Sequence, residues 1–211
     1  MPRPFTPAEH EALRDRLLAE GARRFAAHGF DPVSVAELCA AVGIAKGSFY
    51  LFFASKEALL FTAHEAASAQ ARAGLLAAVA PLEQAGDGRA ALTALLQAQA
   101  HALTVHPLLR RLAEPATLAR LLRAVPPEEQ RRHRAHDRAW SDALQDRWRA
   151  AGLLTPDAPP HLLHHLSAAV FALLLGAEAL DDGLELALAT FAEGAGLRWG
   201  LSAAPAPPPA R

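Results

Sequence analysis

The chain has 211 residues and sets 21 Lys and Arg against 22 Asp and Glu, a formal charge of −1, so its total charge does not mark it as a nucleic-acid or membrane binder. Hydrophobic residues make up 52%, and they are mainly Ala and Leu rather than Val, Ile and aromatics, which predicts an all-α protein with a sizeable core. A single cysteine, Cys39, excludes an internal disulfide, and neither a leader pattern nor a long apolar span is visible, so a cytoplasmic protein is expected.

The first predicted helix opens on Thr6-Pro7-Ala8-Glu9, a Thr cap with Pro at the first helical position and Glu three residues after the cap. Leu13, Leu17, Leu18, Ala22, Phe25 and Ala26 follow as one apolar stripe, and Gly29 is placed to end the helix. Ser34-Val35-Ala36-Glu37 repeats the capping box for a second helix, whose Leu38, Cys39 and Val42 share a face and which Gly43 closes. A short amphipathic helix then runs from Lys46 through Phe53, with Ile44, Phe49 and Phe53 turned inward. Two short helices across a Gly-containing turn, braced by a longer first helix, make a helix-turn-helix.

Ser55 caps a long helix expected from Lys56 to about Val79, after which Pro81 to Gly88 reads as a break. Arg89 to Val105 is helical, and Pro107 to Val125 is one or two short helices interrupted at Pro115. Pro126-Pro127 starts a charged helix that ends at Gly152. Beyond a linker at Pro156 to Pro160, helices are expected at His161 to Leu180 and Asp182 to Leu201, then a disordered Pro/Ala-rich tail. The resulting division is a helix-turn-helix domain over 1–55, a helical domain over 56–202, and the tail over 203–211.

The stretch Phe25…Gly29-Phe30, Ser34-Val35…Leu38-Cys39, Gly43-Ile44-Ala45-Lys46-Gly47-Ser48-Phe49-Tyr50-Leu51-Phe52-Phe53, Ser55-Lys56-Glu57-Ala58-Leu59 resembles the DNA-binding domain of the TetR (tetracycline-repressor-like) family. The resemblance implies base or base-adjacent contacts for Lys46, Gly47, Ser48, Tyr50 and Leu51, and phosphate contacts for Ser34, Tyr50 and Lys56. Two positions depart from the pattern. Ala45 replaces a Ser or Thr that would cap the recognition helix, and Phe52 replaces a Tyr or His that would reach a phosphate. Residues 1–60 carry seven basic and seven acidic side chains, so any grip on DNA depends on where the charges sit. Arg3 is a candidate for a neighbouring phosphate or the minor groove.

The resemblance further implies a homodimer through the last two helices, where Leu162, Leu163, Leu166, Ala169, Val170, Leu173 and Leu174 are followed by Leu184, Leu186, Leu188, Phe191 and Leu197. It implies a small-molecule pocket among the middle helices, with Leu92, Leu96, Gln99, Leu103, Trp140, Leu144, Phe171 and Leu175 as candidate lining. Few of these are polar, so the effector is expected to be largely apolar or aromatic. The function implied is a repressor on palindromic operator DNA, released by that effector.

Other chemistry has less support. His161, His164 and His165 share a helix at spacings that can bring two imidazoles to one metal, and His133 and His136 repeat the interval. A metal-responsive regulator, or a ligand-binding protein with a disused DNA module, are the alternatives. No Gly-rich phosphate loop, nucleophile elbow or His-Glu-x-x-His motif is present, so neither an enzyme nor a bound cofactor or metal is expected.

Overall fold

Thr6 starts the first helix where its capping signals place it, in a computed structural model that describes residues 5–202. Arg3 and the stretch 203–211 lie outside the described residues. Helix α1 spans Pro7–His28; the Thr6 hydroxyl accepts from Glu9 N at 3.2 Å, and Thr6 N donates to the Glu9 carboxylate at 2.8 Å. Helix α2, Val35–Val42, opens on the same reciprocal pair between Ser34 and Glu37. Gly43 ends it at φ 79°, a left-handed conformation that glycine adopts without a Cβ penalty. A 3-10 helix, Lys46–Leu51, comes next, and Ser55 caps α3, Lys56–Gln84, by accepting from Ala58 N at 3.0 Å.

The remaining helices are α4 Gly88–Val105, α5 Pro107–Leu112, α6 Pro115–Ala124, α7 Pro127–Ala150, α8 Leu162–Leu175, α9 Ala177–Leu180 and α10 Leu184–Trp199. The fold is all-α, and the one β-type pairing among the described residues is an isolated bridge between Leu154 and Gly200. By contact the chain divides into two units. The first takes the described residues through Gln70 together with Thr104–Gln130, and the second takes Ala71–Leu103 and the described residues from Arg131 onward.

In the first unit α1 buries Leu17, Gly21 and Phe25, and α5 packs against it with Leu108, Leu109 and Leu112 buried. Gln130 closes the end of α6 by donating to the carbonyls of Leu122 at 2.7 Å and Val125 at 2.8 Å. On α1 the Glu20 carboxylate accepts from Arg23 at 2.7 Å and also from Arg24, and these bonds hold its pKa at about 2, against an ordinary 4.5. A depressed folded pKa adds stability above the unfolded value and loses it as pH falls through the folded one. Arg23 is largely exposed, so Glu20→Gln should cost only about 0.5–1 kcal/mol at pH 7. That difference should close between pH 4.5 and 2, read by urea denaturation at each pH.

The second unit is built on Leu75, Val79, Leu92, Leu95, Leu96, Leu144, Trp148, Leu153, Leu163, Leu166 and Val170. Gln145, 1% exposed, accepts from Leu163 N at 3.0 Å and donates to Pro159 O at 2.9 Å, which satisfies an orphan amide at the start of α8.

Three expectations need correction. Helix α3 does not stop before Pro81 but runs on to Gln84. Proline removes its own N–H, yet it sits in the last turn, where Ala85 N still reaches Pro81 O at 3.1 Å and Glu83 is held by Arg147 at 2.6 Å and by the Trp148 indole. The helix expected over His161 to Leu180 breaks at Gly176, and the segments before and after that break meet at 72°. The recognition helix ends at Leu51 rather than Phe53 and is 3-10 rather than α.

Candidate nucleic-acid interface

The 3-10 helix begins after Ala45, whose side chain offers no cap, so its first amides depend on little beyond Ser48 N to Ala45 O at 2.9 Å. Such a short helix has poor internal hydrogen-bond geometry and must be held from below. Phe49, fully buried, does this, with its ring 5.9 Å from Phe53 and edge-on to Tyr50 at 5.4 Å. The opposite side is left open. Lys46 and Gly47 are exposed, Tyr50 is 57% exposed and Leu51 is 63% exposed, while Ser48 is half-buried. A Cβ added at Gly47 would meet nothing within 4 Å, so this fold does not itself require glycine there.

Ser34 and Lys56 are placed differently from these. The Ser34 hydroxyl accepts from Glu37 N at 3.2 Å, while the Ser34 backbone N–H and then its hydroxyl donate to the Glu37 carboxylate, each at 2.8 Å, and these two donors keep that carboxyl below its usual range. Lys56 does not point an idle cation outward. Its Nζ donates to Phe30 O at 2.9 Å and Val33 O at 2.7 Å and stands 4.0 Å from the centre of the Phe30 ring. Burial lowers its pKa. In this conformation Lys56 fastens the turn between α1 and α2, and a phosphate would have to compete with two carbonyls for it.

Phe52 also has an internal role. Its ring lies 4.5 Å from that of His10 and 6.0 Å from that of Phe5, and His10 Nε2 donates to Leu51 O at 3.3 Å. Arg14 stands 5.3 Å from the Phe53 ring. These residues tie the start of α1 to the end of the recognition helix. Sequence reasoning missed them, because a contact across 41 positions leaves no local periodic trace. Cys39 is buried behind the same helix and its thiol pKa is raised by desolvation, an inert core position.

Residues 17–63 match the model of bacterial regulatory proteins of the tetR family. That match covers the helix-turn-helix segment, less than a quarter of the chain. Over 52 residues it is 44% identical to an uncharacterised helix-turn-helix transcriptional regulator of Bacillus subtilis, a match covering 25% of this chain and 18% of that protein. Over 59 residues it is 39% identical to a helix-turn-helix transcriptional repressor of Mycobacterium tuberculosis, covering 28% and 32% respectively. These curated relatives are therefore matched over less than a third of their length. The fold likeness is wider. A TetR-family regulator from Pectobacterium atrosepticum superimposes with a TM-score of 0.65 at 23% identity, covering 92% of this chain and 95% of the other.

Outside the helix-turn-helix, the residues expected to line a pocket all belong to the second unit, five of them within or against its core. Leu92, Leu96 and Leu144 are buried core, with Leu103 and Trp140 packed on them. Gln99 is half-buried and donates to Ser167 O at 3.2 Å, and Phe171 and Leu175 are half-buried. A cavity of about 450 Å³ lies elsewhere, in the first unit, lined by residues that include Leu18, Ala22, Ala63, Ala67 and His106. None of the eight expected residues lines it.

The expected dimer stripe ranges from buried to exposed, with Ala169, Leu173, Leu174, Leu184, Leu188 and Phe191 partly buried between the extremes. Leu162, Leu163, Leu166 and Val170 are buried within the chain, whereas Leu186 is 72% and Leu197 is 61% exposed on α10. Two histidines have acidic partners: His161 Nδ1 is 2.8 Å from the carboxylate of Asp142, which is distant in sequence, and His133 Nε2 is 3.3 Å from Asp137, one helical turn on. Among the described residues no three His, Cys, Asp or Glu side chains gather in a metal-binding arrangement. No single helix there is long and apolar enough to cross a membrane.

Proposed function

We propose that the chain is a one-component transcriptional regulator and not an enzyme: a cytoplasmic repressor that grips palindromic operator DNA as a homodimer and is released by a small, largely apolar effector. The observation that carries the DNA-binding reading is the split surface of the recognition helix. Its large apolar residue, Phe49, is spent on anchoring, while Lys46, Gly47, Tyr50 and Leu51 project an open face at an uncapped helix start. Ser48, Ser34 and Lys56 complete the contact set, with Lys56 also holding the turn before α2 through the carbonyls of Phe30 and Val33.

A single recognition helix has a small footprint, so two are needed about 34–36 Å apart to read successive major grooves. The exposed Leu186 and Leu197 of α10 support a dimer through α8 and α10, since apolar side chains of this size gain by being covered. The effector site is proposed among Leu92, Leu96, Gln99, Leu103, Trp140, Leu144, Phe171 and Leu175. These residues are packed on one another or half-buried without it, so its entry must separate them. That separation costs free energy, so the effector favours the opened conformation only by as much as its affinity for it exceeds its affinity for the closed one.

Binding to the DNA upstream of its own gene, followed by mobility shift across a salt series, tests the reading. Saturable binding that weakens with salt is expected. Lys46→Ala should lower affinity about tenfold, the scale of one lost base-edge or phosphate contact. Gly47→Ala should also weaken binding while leaving thermal stability unchanged or slightly raised, since nothing in the fold opposes its Cβ. Wild-type affinity in both variants would remove the proposed docking face.

A further inference from the structure

We infer that Arg120 of α6 is the electrostatic partner of the DNA-facing turn, neutralising Asp31 at the edge where a phosphate backbone would pass. The inference rests on the DNA-binding reading and deepens it. Asp31 lies three residues before Ser34, the cap of α2, and its side chain is 70% exposed. Arg120, 45% exposed, reaches it from α6 at 2.8 Å. The Arg120 guanidinium is also 5.4 Å from the Phe30 ring, the same ring that Lys56 approaches at 4.0 Å. Two cations from different helices thus converge on the four-residue stretch Phe30-Asp31-Pro32-Val33, one bonded to its backbone and the other to its one acidic side chain.

Magnitudes decide what the second cation is for. An exposed ion pair contributes about 0–1 kcal/mol to a fold, and Phe30 and Val33 are already buried and pinned through Lys56. Arg120 is therefore a minor stabiliser. At the surface of a duplex, which carries one charge per about 1.7 Å of its axis, an unpaired carboxylate beside the α2 cap instead opposes binding directly. The first sixty residues carry no net charge of their own, so a cation supplied by α6 changes their balance where it matters.

The test uses the full chain and a duplex selected by it from a random pool, with affinity measured across a salt series. Arg120→Ala is expected to bind about tenfold more weakly at low salt, with a salt slope shallower by about one per subunit. Asp31→Asn in the same chain should restore affinity to within about twofold of wild type, because the uncovered charge is gone. Asp31→Asn alone should bind as tightly as wild type or more so. The inference is overturned if Arg120→Ala binds like wild type, or if the double variant stays as weak as Arg120→Ala. It is also overturned if Asp31→Asn alone is as weak, since the pair would then act by holding the turn. Wild type that selects no sequence and shows no salt-sensitive binding would fail the DNA-binding reading itself, a result distinct from all of these.

Discussion

Phe49→Ala should destabilise the first unit by about 3–5 kcal/mol and abolish operator binding, while leaving most of the second unit protected. Phe49 has no exposed surface and meets Phe53 and Tyr50 through its ring, so truncation empties a volume that the short 3-10 helix cannot refill. That helix lacks a side-chain cap and spans six residues, too few to persist without its anchor. Hydrogen exchange should show protection lost over 35–53 and retained over much of 131–199. Tyr50→Ala is the control next door. At 57% exposure its loss should cost under about 0.5 kcal/mol in stability yet weaken operator binding. Comparable destabilisation by the two variants would mean that the recognition helix is not organised as an anchored inner face and an open outer one.

The start and end of α1 and α2 were legible because their signals are local. A cap and its carboxylate three residues on, or a glycine in a left-handed conformation, involve chain neighbours, and each formed as read at Thr6, Ser34 and Gly43. The TetR-family signature was legible for the related reason that it occupies one continuous stretch, residues 17–63. What could not be read depended on distant partners. Helix α3 outlasts Pro81 because Arg147 and Trp148, more than sixty residues away, hold Glu83. Lys56 was assigned to phosphate because its place in the signature is all the sequence displays. Its two carbonyl partners lie 26 and 23 residues earlier, in a turn whose path is set by Phe30.

Phe52, read in the sequence as a missing polar contact, has an internal role that the sequence did not show. A missing hydroxyl or imidazole at this position suggested weakened phosphate contact. The aromatic ring instead stacks with His10, which itself bonds to Leu51 O. His10 thus ties α1 to the recognition segment through both its ring and its nitrogen. The grouping of α5 and α6 with the DNA module was equally invisible, since the Pro107 and Pro115 starts identify helices without saying what they pack on.

Gly88→Ala should lower the stability of the second unit by about 3 kcal/mol or more, the cost of forcing backbone apart in a packed region. A Cβ at Gly88 would lie 1.8 Å from the Leu153 carbonyl oxygen and 2.6 Å from its carbon, both backbone atoms with no rotamer to turn away. The same carbonyl accepts from Leu201 N at 2.9 Å, and Leu201 O accepts from Arg89 N at 3.1 Å. Three segments therefore meet where the first turn of α4, the linker after α7 and the residues after α10 converge. Gly200 repeats the constraint from the other side, since its Cβ would come within 2.5 Å of Arg89 Cα. Gly74 on α3 is the opposite case. It is exposed and helical, and a Cβ there meets nothing within 4 Å, so Gly74→Ala should stabilise by about 0.5–1 kcal/mol. Urea denaturation of the two variants should give shifts of opposite sign. If both glycines tolerate alanine alike, the junction that fixes the end of α10 is looser than described, and the proposed dimer helix would lose the support that sets its position.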